Sequence, residues 1–155
     1  MLLNLTSTIV NLLRSNVPNP HPSGEFIYAD YPRMDATFPR ISVTQVSGNV
    51  DTVGIGEWGP DKKADYYVLT YDIDIWVGVK DRAMIDGETY VGTKLRDKYA
   101  EIVLRTLLDS KETLRSNKVI DVDVVGISTL PLDEEYMLHR KTITVRFTVE
   151  REEGT

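Results

Sequence analysis

Residues 67–79, YVLTYDIDIWVGV, alternate in character with almost no break. Tyr67, Leu69, Tyr71, Ile73, Ile75, Val77 and Val79 fall on one side, and Thr70, Asp72, Asp74 and Lys80 fall on the other. Successive side chains of an extended chain point to opposite faces, so the spacing predicts a long strand with one face buried. Such a strand needs paired neighbours and a second layer over its apolar row. The rest of the chain must supply both.

Helical spacing appears twice. Leu2, Leu5, Ile9, Leu12 and Leu13 recur every three or four residues and predict an amphipathic helix over 2–15. Pro18, Pro20 and Pro22 then bar its continuation, and residues 16–39 read as an extended connector with a short strand near Glu25–Tyr28. Val91, Leu95, Tyr99, Ile102 and Val103 predict a longer helix over Tyr90–Leu108, with Asp86 or Thr89 as its cap and Glu101–Arg105 as a supporting pair.

Three further segments read as strands. Ile41 and Val43 alternate with Ser42 and Thr44 in a short one. Val119–Ser128 carries the apolar set Val122, Val124, Val125 and Ile127. Lys141–Arg151 alternates Ile143, Val145, Phe147 and Val149 against Thr142, Thr144, Arg146, Thr148 and Glu150. The last two strands are joined by a loop too short for a crossover helix. The expected class is therefore α+β: a mainly antiparallel sheet with the N-terminal helix and one longer central helix packed on one face. The expected organisation is a single domain over 1–155, with helix 2–15, connector 16–39 and a sheet-plus-helix core over 40–151.

Composition narrows the chemistry. A net charge of −6 disfavours coating of DNA or of an anionic membrane. The absence of cysteine removes disulfides, thiolate metal sites and cysteine nucleophiles. The apolar N-terminus lacks a basic leader and is interrupted by Asn4, Thr6, Ser7, Thr8 and Asn11, so it reads as a helix rather than a signal peptide. No run is long enough to cross a bilayer, and no membrane association is expected.

The stretch VGIGEWGP, residues 53–60, spells the G-x-G-x-x-G of dinucleotide-binding folds, and Asp74 stands where a ribose-binding acid belongs. The context refuses it. That motif works by delivering a pyrophosphate to a helix N-terminus, whereas here Pro60 and a charged segment lead straight into the strand at Tyr67. The glycines read instead as a flexible loop.

Asp72 with Asp74, and Asp121 with Asp123, could hold a divalent ion only if ligands converged from other elements, which nothing in the spacing indicates. They read as a solvated or salt-bridged face, with Arg146 and Lys80 as the expected basic partners. His21 and His139 lack the companions that a triad or a zinc site needs. No catalytic residue, cofactor site or metal site is assigned. The assigned candidates are subunit-interface residues: Ile55, Glu57, Trp58, Lys62 and Lys63 on the loop, and Trp76 on the polar face of the long strand.

The run PRISVTQVSG (39–48), the glycine-rich loop, YDIDIWVGVKDR (71–82), DGETYVGTKLRDKYAEIVLRTLL (86–108) and DEEYMLHRKTITVRFTVE (133–150) together resemble the tail terminator and head–tail joining proteins of long-tailed bacterial and archaeal viruses. The resemblance lies in element order, size and local texture along nearly the whole chain. It implies a non-enzymatic virion protein of the tail and neck, assembled in the host cytoplasm. It also implies a hexameric ring that caps the tail tube and meets the head-completion or connector protein, with genome DNA passing unbound through the lumen. A head-completion or other neck protein remains the alternative within virions, and a small cytosolic ligand-binding protein or enzyme the alternative outside them.

Overall fold

The computed structural model describes residues 2–29, 32, 36–53 and 64–150, with side chains at the same positions except 2–4, 49–53, 64 and 65. The long alternating segment forms β3 (Ala64–Gly78), the middle strand of a five-stranded sheet. Its row Leu69, Tyr71, Ile73, Ile75 and Val77 is fully buried. On one flank β3 pairs antiparallel with β2 (Arg40–Val53), and on the other with β7 (Leu138–Glu150). β7 pairs in turn with β6 (Val119–Asp133), and β1 (Ile27–Tyr28) adds parallel to the start of β2. The order is β1-β2-β3-β7-β6, a mixed sheet that is antiparallel in all but its two-residue edge strand.

Two helices cover the apolar face. The Leu5, Ile9, Val10 and Leu13 stripe of α1 (Leu2–Asn16) and the Leu95, Tyr99, Val103 and Leu107 stripe of α2 (Thr93–Asp109) join Ile41, Val43, Ile73, Ile143, Val145 and Phe147 in one buried cluster. Each fully buried aliphatic or aromatic side chain contributes about 1.5–3 kcal/mol relative to exposure, so this layer supplies the main drive for folding. Phe26 bridges the connector to α2 through the Tyr99 ring at 5.5 Å, and Tyr71 meets Phe147 edge-on at 5.6 Å. The α+β class and the helix-on-sheet arrangement are those expected from the sequence.

Several boundaries differ. The expected cap of α2 is instead a hairpin, β4 (Arg82–Ile85) with β5 (Glu88–Val91). Asp86 and Gly87 sit at φ 52° and 83°, the doubly positive geometry of a two-residue hairpin turn that Asp-Gly favours. Gly92 then precedes the helix, with no side-chain cap. A short helix, α3 (Lys111–Arg115), follows α2 and buries Leu114. β2 runs far beyond the expected Ile41–Thr44, because β3 pairs with it from Arg40 to Val53 whatever its side chains. β6 continues through Pro131 to Asp133, which an outermost strand tolerates because the missing N–H is not needed by an inner neighbour. Val125 and Ile127, two of the apolar set noted in that strand, are each 49% exposed. They lie on the outermost strand, where register shifts turn the chain between Val124 and Gly126.

Candidate assembly surfaces

The second face of the sheet is polar, yet its centre is closed to solvent. The register sets Ser42, Asp74, Thr142 and Ser128 in one row across β2, β3, β7 and β6. The neighbouring rows are Thr44, Asp72, Thr144, Gly126 and Arg40, Trp76, Arg140, Leu130. Directly opposed residues in such rows stand close enough for side-chain hydrogen bonds. Asp74 is fully buried: its Oδ1 accepts from Arg140 Nε at 2.9 Å and from Thr142 Oγ1 at 2.5 Å. One row along, Thr144 Oγ1 donates to Asp72 at 2.8 Å.

Stacked cations close this face from above. The Arg140 guanidinium lies 4.5 Å from the Trp76 ring, and the Arg40 guanidinium lies 3.9 Å from the Tyr28 ring. The planar, weakly hydrated guanidinium suits both a carboxylate and an aromatic face, and Arg140 uses both. For Asp74 the expected solvated or Arg146- and Lys80-paired face is thereby corrected, whereas Asp121 and Asp123 are solvated as expected, with Asp123 opposite Arg146. Arg140, directly diagonal to Asp74, is the partner, whereas Arg146 lies opposite Thr70 and Asp123, and Lys80 lies beyond the end of β3. The second carboxylate oxygen of Asp74, the hydroxyl of Ser42 and the indole N–H of Trp76 are buried without a hydrogen-bond partner among the described residues. Each such group, left unsatisfied, costs about 1–3 kcal/mol.

Other expected residues separate. Trp76 is half-buried on the polar face beneath Arg140, while Ile55, Glu57, Trp58, Lys62 and Lys63 lie outside the described residues. Asp121 and Asp123 are exposed on β6 opposite Thr148 and Arg146. His21 is partly covered, its Nε2 2.8 Å from the Pro39 carbonyl and its ring edge-on to Phe26. Among the described residues no group of three or more His, Asp or Glu is placed to hold a metal ion. No helix among the described residues is long and apolar enough to cross a membrane.

Titratable groups behave as structural elements. Burial pushes the Tyr71 hydroxyl above its ordinary range, against a hydrogen bond with Thr6 Oγ1 at 2.7 Å. Burial, aided by the charge of Asp81, raises Tyr99 further. Partial burial would raise Asp97, but hydrogen bonds from Arg96 and Lys141 and their charges hold its carboxyl below the usual carboxylate range. That last contact, Lys141 Nζ to Asp97 Oδ1 at 2.7 Å, pins the first turns of α2 to β7.

Apolar side chains left in solvent gather at element edges and ends. Val125 and Ile127 lie on outermost β6, and Val46 lies on β2 beyond the reach of β1. Tyr136 and Met137 lie on the β6–β7 turn, beside Val79, whose N–H bonds the Met137 carbonyl. Sequence reasoning missed these surfaces because exposure of an apolar strand residue depends on which strand ends the sheet.

The class defined by these features is a small α+β protein with two helices on one face of a mixed sheet and a closed polar network on the other. A chain from the virion of a native gene transfer agent particle has this fold, with a TM-score of 0.50 and 15% sequence identity over 95% of this chain and 95% of that one. At that identity the likeness is one of fold. No protein-family model matches the chain, and no match is found among curated proteins.

Proposed function

We propose that this chain is a structural protein of a phage-like virion, a tail terminator that assembles as a hexameric ring on the end of the tail tube and joins it to the head connector. The observation that carries the reading is the end-to-end fold likeness, covering 95% of both chains, to a component of a gene transfer agent virion. The element order noted in the sequence supports the same reading. The work of such a protein is done by its surfaces, and the closed Asp74–Arg140 network is a rigid sheet backing rather than a reaction centre.

In this reading the segment 54–63 reaches a neighbouring subunit or the next ring. Ile55 and Trp58 supply apolar anchors, Glu57, Lys62 and Lys63 supply charges, and Trp76 contributes from the sheet. The acidic balance of −6 keeps DNA in the lumen from adhering. Its partners are further copies of itself, the tail tube protein and a head-completion protein.

Light scattering on the purified chain, alone and with its tail tube protein, tests the assembly. A closed species of about six subunits is expected. A strict monomer under both conditions, with tight binding of a nucleotide or metal ion, would overturn the proposal in favour of a ligand-binding protein or enzyme. Deleting Gly54–Gly59 should leave the melting transition intact and abolish the ring. Loss of folding would place the segment in the core instead.

A further inference from the structure

The sheet ends in two edges that lie on opposite sides of one molecule. On one side β6 is outermost, and its run Gly126–Leu130 pairs without interruption to Thr144–Arg140 on its inner side. Its outer side has no strand beside it among the described residues. On the other side β1 covers β2 only at Ile41 and Ser42, so the outer edge of β2 is unpaired from Val43 onward among the described residues.

Monomeric proteins blunt such edges with charges, prolines and bulges. Here each run carries one irregularity, at Gln45/Ser47 and at Val124/Gly126, and β6 meets Pro131, but neither run carries a charge: Val43–Val50 reads VTQVSGNV and Val124–Leu132 reads VVGISTLPL. Apolar groups stand exposed on both, with Val46 at 47% and Ile127 at 49%.

We infer that the β6 edge of one copy adds antiparallel to the β2 edge of a second copy, Gly126–Leu130 lying along Thr44–Asn49 with Ser128 opposite Ser47 and Thr129 opposite the Gln45–Val46 bulge. The inference rests on the proposed self-assembly and names the surface that carries it. Three features set this alignment. β6 stops being a regular donor at Pro131, which has no N–H, and in this alignment Pro131 falls level with Val43, next to the residues that β1 covers. The acidic turn Asp133, Glu134 and Glu135 then continues past the edge of β1. There Arg14, paired with Glu25 at 3.6 Å, and Arg40 both approach the Tyr28 ring, at 5.9 Å and 3.9 Å, so negative charge meets a cluster that keeps one net positive charge. Finally, the two edges are different surfaces of the same chain. Their union is head-to-tail and leaves a free edge at each end, which rotational repetition closes into a ring.

The chain has no cysteine, so Ser47→Cys and Ser128→Cys report the contact directly. Both serines are exposed and on the polar face of their strands, and opposed residues of an antiparallel pair are near disulfide distance. Mixing the two variants under mild oxidation should shift the main band from the 17.6 kDa chain to twice that mass, while neither variant alone does so. The double variant should give a ladder ending in a closed oligomer. A dimer from Ser128→Cys alone would mean that β6 pairs with β6, and an uncross-linked mixture would mean that the edges do not meet. Either result overturns the inference. Light scattering on the unmodified chain with its tail tube protein tells the two failures apart: a ring without this cross-link removes only the edge pairing, whereas a monomer removes the ring as well.

Discussion

At its centre β3 is buried on both faces, by opposite chemistry. Ile73 and Asp74 are adjacent in sequence and both fully enclosed, one under α1 and α2, the other under Arg140 and Trp76. On the helix face, water is excluded by close-packed apolar groups, and the gain scales with area. On the polar face it is excluded by a cross-strand carboxylate, guanidinium and hydroxyl that satisfy part of one another's needs. Such a network fixes register and geometry more than it adds stability. Alternation thus identifies the two faces of a strand but not which positions on them meet solvent.

Substitutions can break this contrast at its strongest points first. Ile73→Ala should cost about 4 kcal/mol in chemical denaturation, since the site is tightly enclosed and the lost methyl groups leave a cavity. Asp74→Ala should cost about 3 kcal/mol, because it strips Arg140 and Thr142 of their shared acceptor. A cost below about 0.5 kcal/mol, the value of a surface pair, would show that the polar face is open in solution.

Alkaline pH probes the helix face next. Tyr71 and Tyr99 have folded pKa values raised above that of the unfolded chain. Their contribution is fully present below about pH 10 and is lost as pH rises through the folded values. The melting temperature should therefore fall above about pH 10, and Tyr71→Phe should reduce that fall. At neutral pH the same substitution should cost only about 1 kcal/mol, for the hydrogen bond with Thr6.

The smallest effect belongs to the half-exposed carboxylate on α2. Asp97 has a lowered folded pKa, so its contribution is present above the unfolded carboxylate range and is lost as pH falls through the folded value. Asp97→Asn should flatten the acid limb of a stability–pH profile and change the neutral melting temperature little.

Much of the helix face was legible in the sequence. The periods of α1, α2, β3 and β7 are each set by a local row such as Leu95, Tyr99 and Val103, and a local row can be read without knowing its neighbours. What escaped depends on partners distant in the chain. Asp74 is enclosed because Arg140 and Thr142, more than sixty residues away, share its row. β2 extends through Ser47, Gly48 and Asn49 because β3 lies beside it, and Val125 and Ile127 are exposed because β6 ends the sheet. The β4–β5 hairpin was a different failure. Asp86-Gly87 carried a local turn signal that a helix-capping reading of the same aspartate obscured. Of the six interface candidates, only Trp76 lies within the described residues, where it stacks with Arg140.

The proposed function makes this chain a ring subunit of a virion. Quantitative mass spectrometry of purified particles, counting this chain against the tail tube protein, tests that most directly. A fixed, small number of about six copies per particle is expected, as one closed ring requires. Absence from washed particles, or a count in the hundreds as for a shell or tube subunit, would contradict it.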